Sequence, residues 1–278
     1  MNITKDLLRS WSACADGYAY FLEHWSDGST YAAVQAKLRE DRKTDWSVWL
    51  TAHVWEAAIA DPSSSIAALA QAEVDEAITA TKDSPNSASG DFSTAASSGN
   101  YSKAASSGNY STAASSGDGS TAASSGDGST AASSGYGSTA ASSGYGSTAA
   151  SSGNYSTAAS SGDGSTAASS GDGSTAASSG YGSKAASSGD GSKAASSGDR
   201  STAAVQGANT IAMVAGLGGQ AKAGPNGCIA LCWYDGKRNR IVAGYVGEEG
   251  IEADTLYRVA DGKLVKVRAT KDRGGEHG

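Results

Sequence analysis

The sequence predicts a mainly β fold: a two-sided parallel β-solenoid between an N-terminal α-helical cap domain and a C-terminal β-hairpin module. Three observations predict it. A nine-residue unit, Ser-(Thr/Lys)-Ala-Ala-Ser-Ser-Gly-x-x, recurs thirteen times without a gap, the first copy opening at Ser93 and the last at Ser201. Lys replaces Thr at one phase only, at Lys103, Lys184 and Lys193. Five of the six Trp precede the repeat, and strand-like apolar alternation returns after it. A fixed period without insertions reads as one structural unit stacked on itself, because a Gly/Ser linker would tolerate slips in phase. The chain divides into residues 1–84, 85–222 and 223–278.

Residues 1–84 read as a small helical domain. Apolar spacing is helical through Leu7–Trp11, Tyr18–Trp25, Tyr31–Leu38, Trp46–Ile59 and Ile66–Ile78. Thr4, Thr44 and Ser63 are placed to cap helices, the last just after Pro62. The segment holds 13 acids and 7 bases, a net charge of −6. Trp11, Trp25, Trp46, Trp49 and Trp55 are expected to form its core; recognition through one or two exposed Trp is the other reading. The last helix is expected to lead into the first coil.

Nine residues suit one short strand and one turn, so two units make an 18-residue coil. Coils stacked about 4.8 Å apart would give a rod of roughly 33 Å over seven coils. Alternation assigns the faces. The second position takes Thr or Lys and so faces water, with the fourth beside it. The first, third and fifth, Ser, Ala and Ser, face in; Val205 and Val214 fall at the fifth position. Such a core is lined by side chains of one or two heavy atoms. It brings the sheets closer than the usual spacing of about 10 Å and leaves Ser hydroxyls to be paired in ladders or with carbonyls. Gly at the seventh position fits a turn needing positive φ. Open ends would be strand edges, so both flanks are expected to act as caps.

Beyond the repeat, Ile211 and Met213 keep its phase but carry large apolar groups at outward positions. That predicts coverage, by the C-terminal segment or by a second copy of the chain. Cys228–Tyr234 and Ile241–Val246 read as strands about Asp235-Gly236, and Tyr257–Val259 and Leu264–Val267 as a hairpin about Asp261-Gly262. The tail after Arg268 reads as frayed.

The opening Ile3-Thr4-Lys5-Asp6-Leu7-Leu8, Ala13-Cys14-Ala15-Asp16-Gly17 and Phe21, with the closing Gly250-Ile251-Glu252-Ala253-Asp254-Thr255-Leu256-Tyr257 and Asp261-Gly262-Lys263-Leu264-Val265, resemble modules of phage and prophage proteins of bacteria. Those proteins often carry Ser/Thr/Ala/Gly repeats between the two modules, so the resemblance spans nearly the whole chain. It carries no activity. It implies a cytoplasmic bacterial or phage setting, with an accessory protein acting on host machinery as one such role.

The net charge of −7 disfavours direct binding to a nucleic-acid backbone. No apolar run reaches membrane-span length, and no signal-peptide pattern opens the sequence, so no membrane partner and a cytoplasmic place are expected. Cys14, Cys228 and Cys232 make no disulfide framework; Cys228 and Cys232 share a strand face but lie too far apart along it for an easy bond.

No catalytic, cofactor or metal residues are assigned, and the chain is read as no enzyme. A repeating calcium site would need an acid in every turn, yet Asn100, Tyr136, Tyr145 and Tyr181 replace it. His24 and His53 fall on helical, Trp-rich stretches and read as structural; a zinc site from Cys14, His24 and His53 lacks any known ligand spacing. Gly216-Leu-Gly-Gly lacks a phosphate-loop context. Turn acids form two rows, Asp127, Asp163 and Asp199 on one edge and Asp118, Asp172 and Asp190 on the other. They read as turn formers, with mimicry of a phosphate backbone as the rival. Tyr101, Tyr110 and Tyr155 are expected to stack along the edges.

The expectation is a non-enzymatic binding protein with the rod as spacer and its ends as contacts. Its partner would be a host protein, such as a defence or nucleic-acid enzyme that it inhibits. Ile211, Met213, Leu217, Trp233 and Tyr245 are the candidate binding surface, which would also hold a homodimer through the C-terminal end. The competing class is a surface array of the ice-binding kind. It would use the outward ladder Thr121, Thr139, Thr157 and Thr175, a resemblance to Thr/Ala solenoid arrays.

Overall fold

The computed structural model describes residues 2–60, Leu69 and residues 87–267. The helical segment opens with β1 (Asn2–Ile3), paired antiparallel to β2 (Ser29–Thr30), which brackets α1 (Lys5–Ser10) and α2 (Ala15–His24). α3 (Tyr31–Glu40) and α4 (Thr44–Ala60) follow. Thr4 caps α1, accepting from Leu7 N at 3.2 Å. Cys14 Sγ and Thr30 Oγ1 do the same for α2 and α3. Thr44 is the first residue of α4 rather than a residue preceding it. The helix expected over 66–78 and its cap Ser63 lie outside the described residues.

The core of this segment is Ile3, Leu8, Phe21, Val34, Leu38, Leu50, Val54 and Trp55. A buried polar clasp ties α3 to α4: Gln35 Nε2 donates to Thr51 Oγ1 at 2.6 Å, and Ser47 Oγ donates to Gln35 Oε1 at 2.5 Å. Every buried amide atom of Gln35 is thus paired, which is what lets a polar residue sit in a core. The expected Trp core is only partly formed. Trp55 is fully buried, whereas Trp11, Trp25, Trp46 and Trp49 are half-buried around it. Trp11 and Trp25 follow the last residues of α1 and α2, where the chain leaves the packed helix face.

The repeat folds as the two-sided solenoid. One sheet runs β4 (Thr94–Ser98), β6 (Thr112–Ser116), β8 (Thr130–Ser134), β10 (Thr148–Ser152), β12 (Thr166–Ser170), β14 (Lys184–Ser188), β16 (Thr202–Gln206) and β18 (Gln220–Lys222). The other runs β3 (Ser87–Ser89), β5 (Lys103–Ser107), β7 (Thr121–Ser125), β9 (Thr139–Ser143), β11 (Thr157–Ser161), β13 (Thr175–Ser179), β15 (Lys193–Ser196), β17 (Ile211–Leu217) and β19 (Cys228–Tyr234). Within each sheet all of these pair in parallel, residue i with residue i+18 through the repeat, as in Thr148↔Thr166. The last coils are not pure repeat but keep the pairing, Ile211 facing Cys228 and Val214 facing Leu231.

Ser, Ala and Ser do face in: Ser111, Ala113 and Ser115 have no exposed surface. Some inward hydroxyls pair, Ser169 Oγ with Ser187 Oγ at 2.9 Å and Ser120 Oγ to the Ser134 carbonyl at 3.2 Å, whereas others, such as Ser111, Ser129 and Ser147 Oγ, are buried without a partner among the described residues. The seventh-position Gly is required twice over. At Gly126 φ is +113°, and a Cβ would lie 2.3 Å from the Gly108 carbonyl oxygen of the preceding coil. The eighth position links coils. The side-chain oxygen of Asp127 accepts from the Tyr145 amide at 2.9 Å, and that of Asp172 from the Asp190 amide at 3.0 Å. The turn acids are therefore occupied in holding coil to coil, as turn formers.

At the C-terminal end two antiparallel hairpins close the rod. β19 turns into β20 (Asn239–Tyr245), and β18 pairs with β21 (Tyr257–Ala260), which turns into β22 (Lys263–Lys266). The larger apolar residues that seal the core lie here: Val205, Ile229, Leu231, Ile251 and Tyr257. Asp235 holds the first turn. It accepts from the Arg238 and Lys237 amides at 2.9 and 2.8 Å and pairs with Arg240, which together draw its carboxyl down to about 2. The tail from 268 lies outside the described residues.

The helical segment was expected to cap an open end of the rod. Among the described residues it instead lies along one broad side. Ala168, Ala186 and Ala204, outward on the first sheet, join the core of the helices. Tyr110 Oη donates to Asp45 Oδ1 at 3.2 Å, Val48 rests on Gly128 and Gly146, and Arg42 stacks over Phe92. A flat row of Ala and Thr offers an apolar-bodied helix more surface to bury than the rim of a thin rod does.

Candidate functional site

The lateral seat of the helices makes the two sides of the rod unlike, although both are built from the same Thr-Ala-Ala-Ser-Ser strand. On the covered sheet even outward residues are buried, as at Thr112, Thr130, Thr148 and Thr166. On the other sheet the strands alternate between buried and half-exposed. The ladder Thr121, Thr139, Thr157 and Thr175 stands on this bare sheet, half-exposed and in register from strand to strand. Tertiary packing thus separates this ladder from its counterpart on the covered sheet, Thr112, Thr130, Thr148 and Thr166.

The bare sheet ends in an apolar patch. Ile211 and Met213 are 42% and 43% exposed, so the described part of the C-terminal segment, to residue 267, leaves them open. Register places Ile211 beside Cys228 and Cys228 beside Tyr245, and Cys232 beside Ile241. Tyr245 is exposed, and Ile241 more so at 71%. Ile241 and the exposed Tyr234 complete the patch, and sequence reasoning did not single them out. The signal was there in the alternation of β20, whose every second residue is outward. Two candidate residues sit elsewhere. Trp233 belongs to the inward row and lies against Gly262 of the second hairpin, where a Cβ would come within 2.7 Å of its ring. Leu217 is half-buried at the end of β17, its amide donating to Asp199 Oδ1 at 2.7 Å. Cys228 and Cys232 are free thiols on the same strand.

A second hollow lies in the helical segment, a cavity of about 300 Å³ walled by Phe21, Trp25, Trp46, Trp49 and Leu50. At its rim Tyr20 donates to Asp41 at 2.5 Å, while Lys37 pairs with Asp41 at 3.0 Å. Burial, and then the Asp41 carboxylate, push the Tyr20 hydroxyl up to about 12, and Asp41 is lowered by the same bond and by Lys37. These are structural clasps on α2 and α3. The two histidines do similar work: His24 Nδ1 lies 2.9 Å from the Tyr20 carbonyl, and His53 Nδ1 lies 2.9 Å from the Trp49 carbonyl and stacks on the Trp49 ring. Cys14 is spent on the α2 cap. The three do not converge on a common point.

Turn aromatics pack along the edges. Phe92 stacks on Tyr110 at 5.5 Å, and Tyr136 meets Tyr155 at 5.4 Å; Tyr101 instead lies over Gly119 of the next coil. On the covered sheet Lys184 faces Glu56; burial lowers its pKa and Glu56 opposes the shift.

Fold and surface together define a β-solenoid with a lateral helical domain and, among the described residues, one uncovered sheet. Residues 1–59 match the family described as the YdhT N-terminal domain. Over 61 residues the chain is 38% identical to the uncharacterized protein YdhT of Escherichia coli strain K12, which covers 22% of this chain and 23% of that protein. The chain thus spans about a quarter of the length of the curated relative it matches. No solved structure matches the chain. No helix among the described residues is long and apolar enough to cross a membrane.

Proposed function

We propose that this chain is a non-catalytic binding protein that meets its partner through the bare sheet and the apolar patch at its C-terminal end. The observation that carries this reading is the patch of Ile211, Met213, Tyr234, Ile241 and Tyr245, aligned on one face and open to solvent. Contiguous apolar surface of this kind is costly to expose and marks contact sites. The same face serves a homodimer through the C-terminal ends. The partner class is a cytoplasmic host protein of a bacterium, with a phage- or prophage-encoded chain acting on it as an inhibitor. Met213→Lys together with Ile241→Lys tests it. The wild-type chain should sediment as a dimer and retain a defined bacterial protein, and the double variant should be monomeric and retain none. Unchanged mass and capture would refute the reading.

A second reading rests on the uncovered ladder of Thr121, Thr139, Thr157 and Thr175, an ordered array of the ice-binding kind. Replacing Thr139 and Thr157 with Trp should remove thermal hysteresis if the array acts, and leave capture through the patch intact. No hysteresis in the wild-type chain would eliminate it.

A further inference from the structure

The variable pair of each repeat is duplicated across the rod in the first three coils. Asn100-Tyr101 is followed by Asn109-Tyr110, Asp118-Gly119 by Asp127-Gly128, and Tyr136-Gly137 by Tyr145-Gly146. Nine residues carry the chain from one side of the rod to the other. A half-turn about the rod axis with a half-coil shift therefore maps one edge and sheet onto the other, position for position. One of the two sides already holds the helical domain.

The vacant side repeats the docked one in detail. Tyr110 lies over Gly128 of the next coil, and Tyr101 lies over Gly119 in the same way. Val48 of α4 fills the space above Gly128 and Gly146. Above the equivalent Gly137 no atom of the described residues lies within 4 Å, and Tyr101 is 79% exposed. Ala168, Ala186 and Ala204 join the core of the helices, and their equivalents Ala159, Ala177 and Ala195 line an open groove on the bare sheet. The differences include Lys103 for Thr112, which adds a charge to the vacant side. At the other end Thr175 stands for Lys184, so the desolvated lysine opposite Glu56 has no counterpart there.

We propose that the bare sheet and its Tyr101–Gly119–Gly137 edge form a second docking site, taking a helical domain of the same kind as residues 2–60 supplied by another chain. This rests on the binding reading and names its partner by structure: four short helices with a small residue, Val48, at the contact. Each chain carries one such domain, already seated on its own rod. The site is therefore filled by a chain whose domain is free, and not by a second copy with its domain docked.

The experiment makes such a chain from the full-length protein. Gly146→Trp, Thr130→Arg and Thr148→Arg place bulk and charge beneath α4 and unseat it. The rod tolerates these changes, since Tyr155 holds the ninth position at φ +59° and Lys occupies the second position three times. In sedimentation equilibrium this variant should gain mass with concentration, beyond the wild-type chain, as freed domains seat on the bare sheets of neighbours. Adding Gly137→Trp, Thr121→Arg and Thr139→Arg, the equivalent lesions on the bare side, should return the wild-type mass. No gain in mass overturns the second site, as does a gain that survives the bare-side lesions. Either failure leaves the separate test of the C-terminal patch standing.

Discussion

Replacing Gly144 by Ala tests why glycine recurs at the seventh position of every nine-residue unit. The new Cβ would lie 2.4 Å from the Gly126 carbonyl oxygen, 2.5 Å from its carbon and 2.9 Å from the Asp127 amide nitrogen. All are backbone atoms of the preceding coil, so nothing flexible can yield. Relief requires the coils to part locally. The nearby bonds Gly126 N to Ser143 O at 3.0 Å and Gly128 N to Tyr145 O at 2.8 Å would then stretch. Losing two such bonds costs about 2 kcal/mol, and φ of +119° adds about 1–3 kcal/mol for a residue with a Cβ. The expected loss is about 3–5 kcal/mol. Gly137→Ala is the control. Its φ is +63°, no atom of the described residues lies within 4 Å of the new Cβ, and Tyr101, Tyr110 and Tyr155 hold the same turn place at +57° to +59°. Its cost should be about 1 kcal/mol, αL strain partly offset by a stiffer unfolded chain. Urea unfolding followed by circular dichroism compares the two. Hydrogen exchange over β9 to β11 locates the loss, because stacked coils can open in segments. Equal losses in the two variants would refute the claim that coil-to-coil contact, rather than φ alone, dictates glycine at the seventh position.

Two other outcomes follow from the same geometry. Ala158→Leu forces three extra carbons into a fully buried core position and should destabilise the rod by about 1–3 kcal/mol or more; Ala159→Leu, half-exposed on the bare sheet, should change urea unfolding little. Burial lowers the Lys184 pKa from its usual 10.5, so the unfolded chain binds more protons between the folded value and 10.5. Stability should therefore rise with pH across that window, and Lys184→Thr, which restores the repeat, should abolish the rise in unfolding curves taken from pH 8 to 11.

The sequence by itself determined the rod. Period nine set the strand and turn, alternation set Ser, Ala and Ser inward, and Lys at one phase marked the outward side. These are local properties, repeated until no other register competes. Alternation in β17, β19 and β20 likewise carried the outward patch, although Ile241 and Tyr234 went unnamed and the inward Trp233 was misplaced. Only the tertiary structure decided where the helices sit. Both faces of the rod repeat nearly the same strand, differing mainly at Lys103, Lys184 and Lys193 and in the last coils, so no local pattern announces the side that α4 covers. The choice comes from surface buried between segments remote in the chain, such as Val48 on Gly146 and Ala168 in the helical core. That packing decides which Thr ladder faces solvent, and so which half of a symmetric rod remains open to a partner.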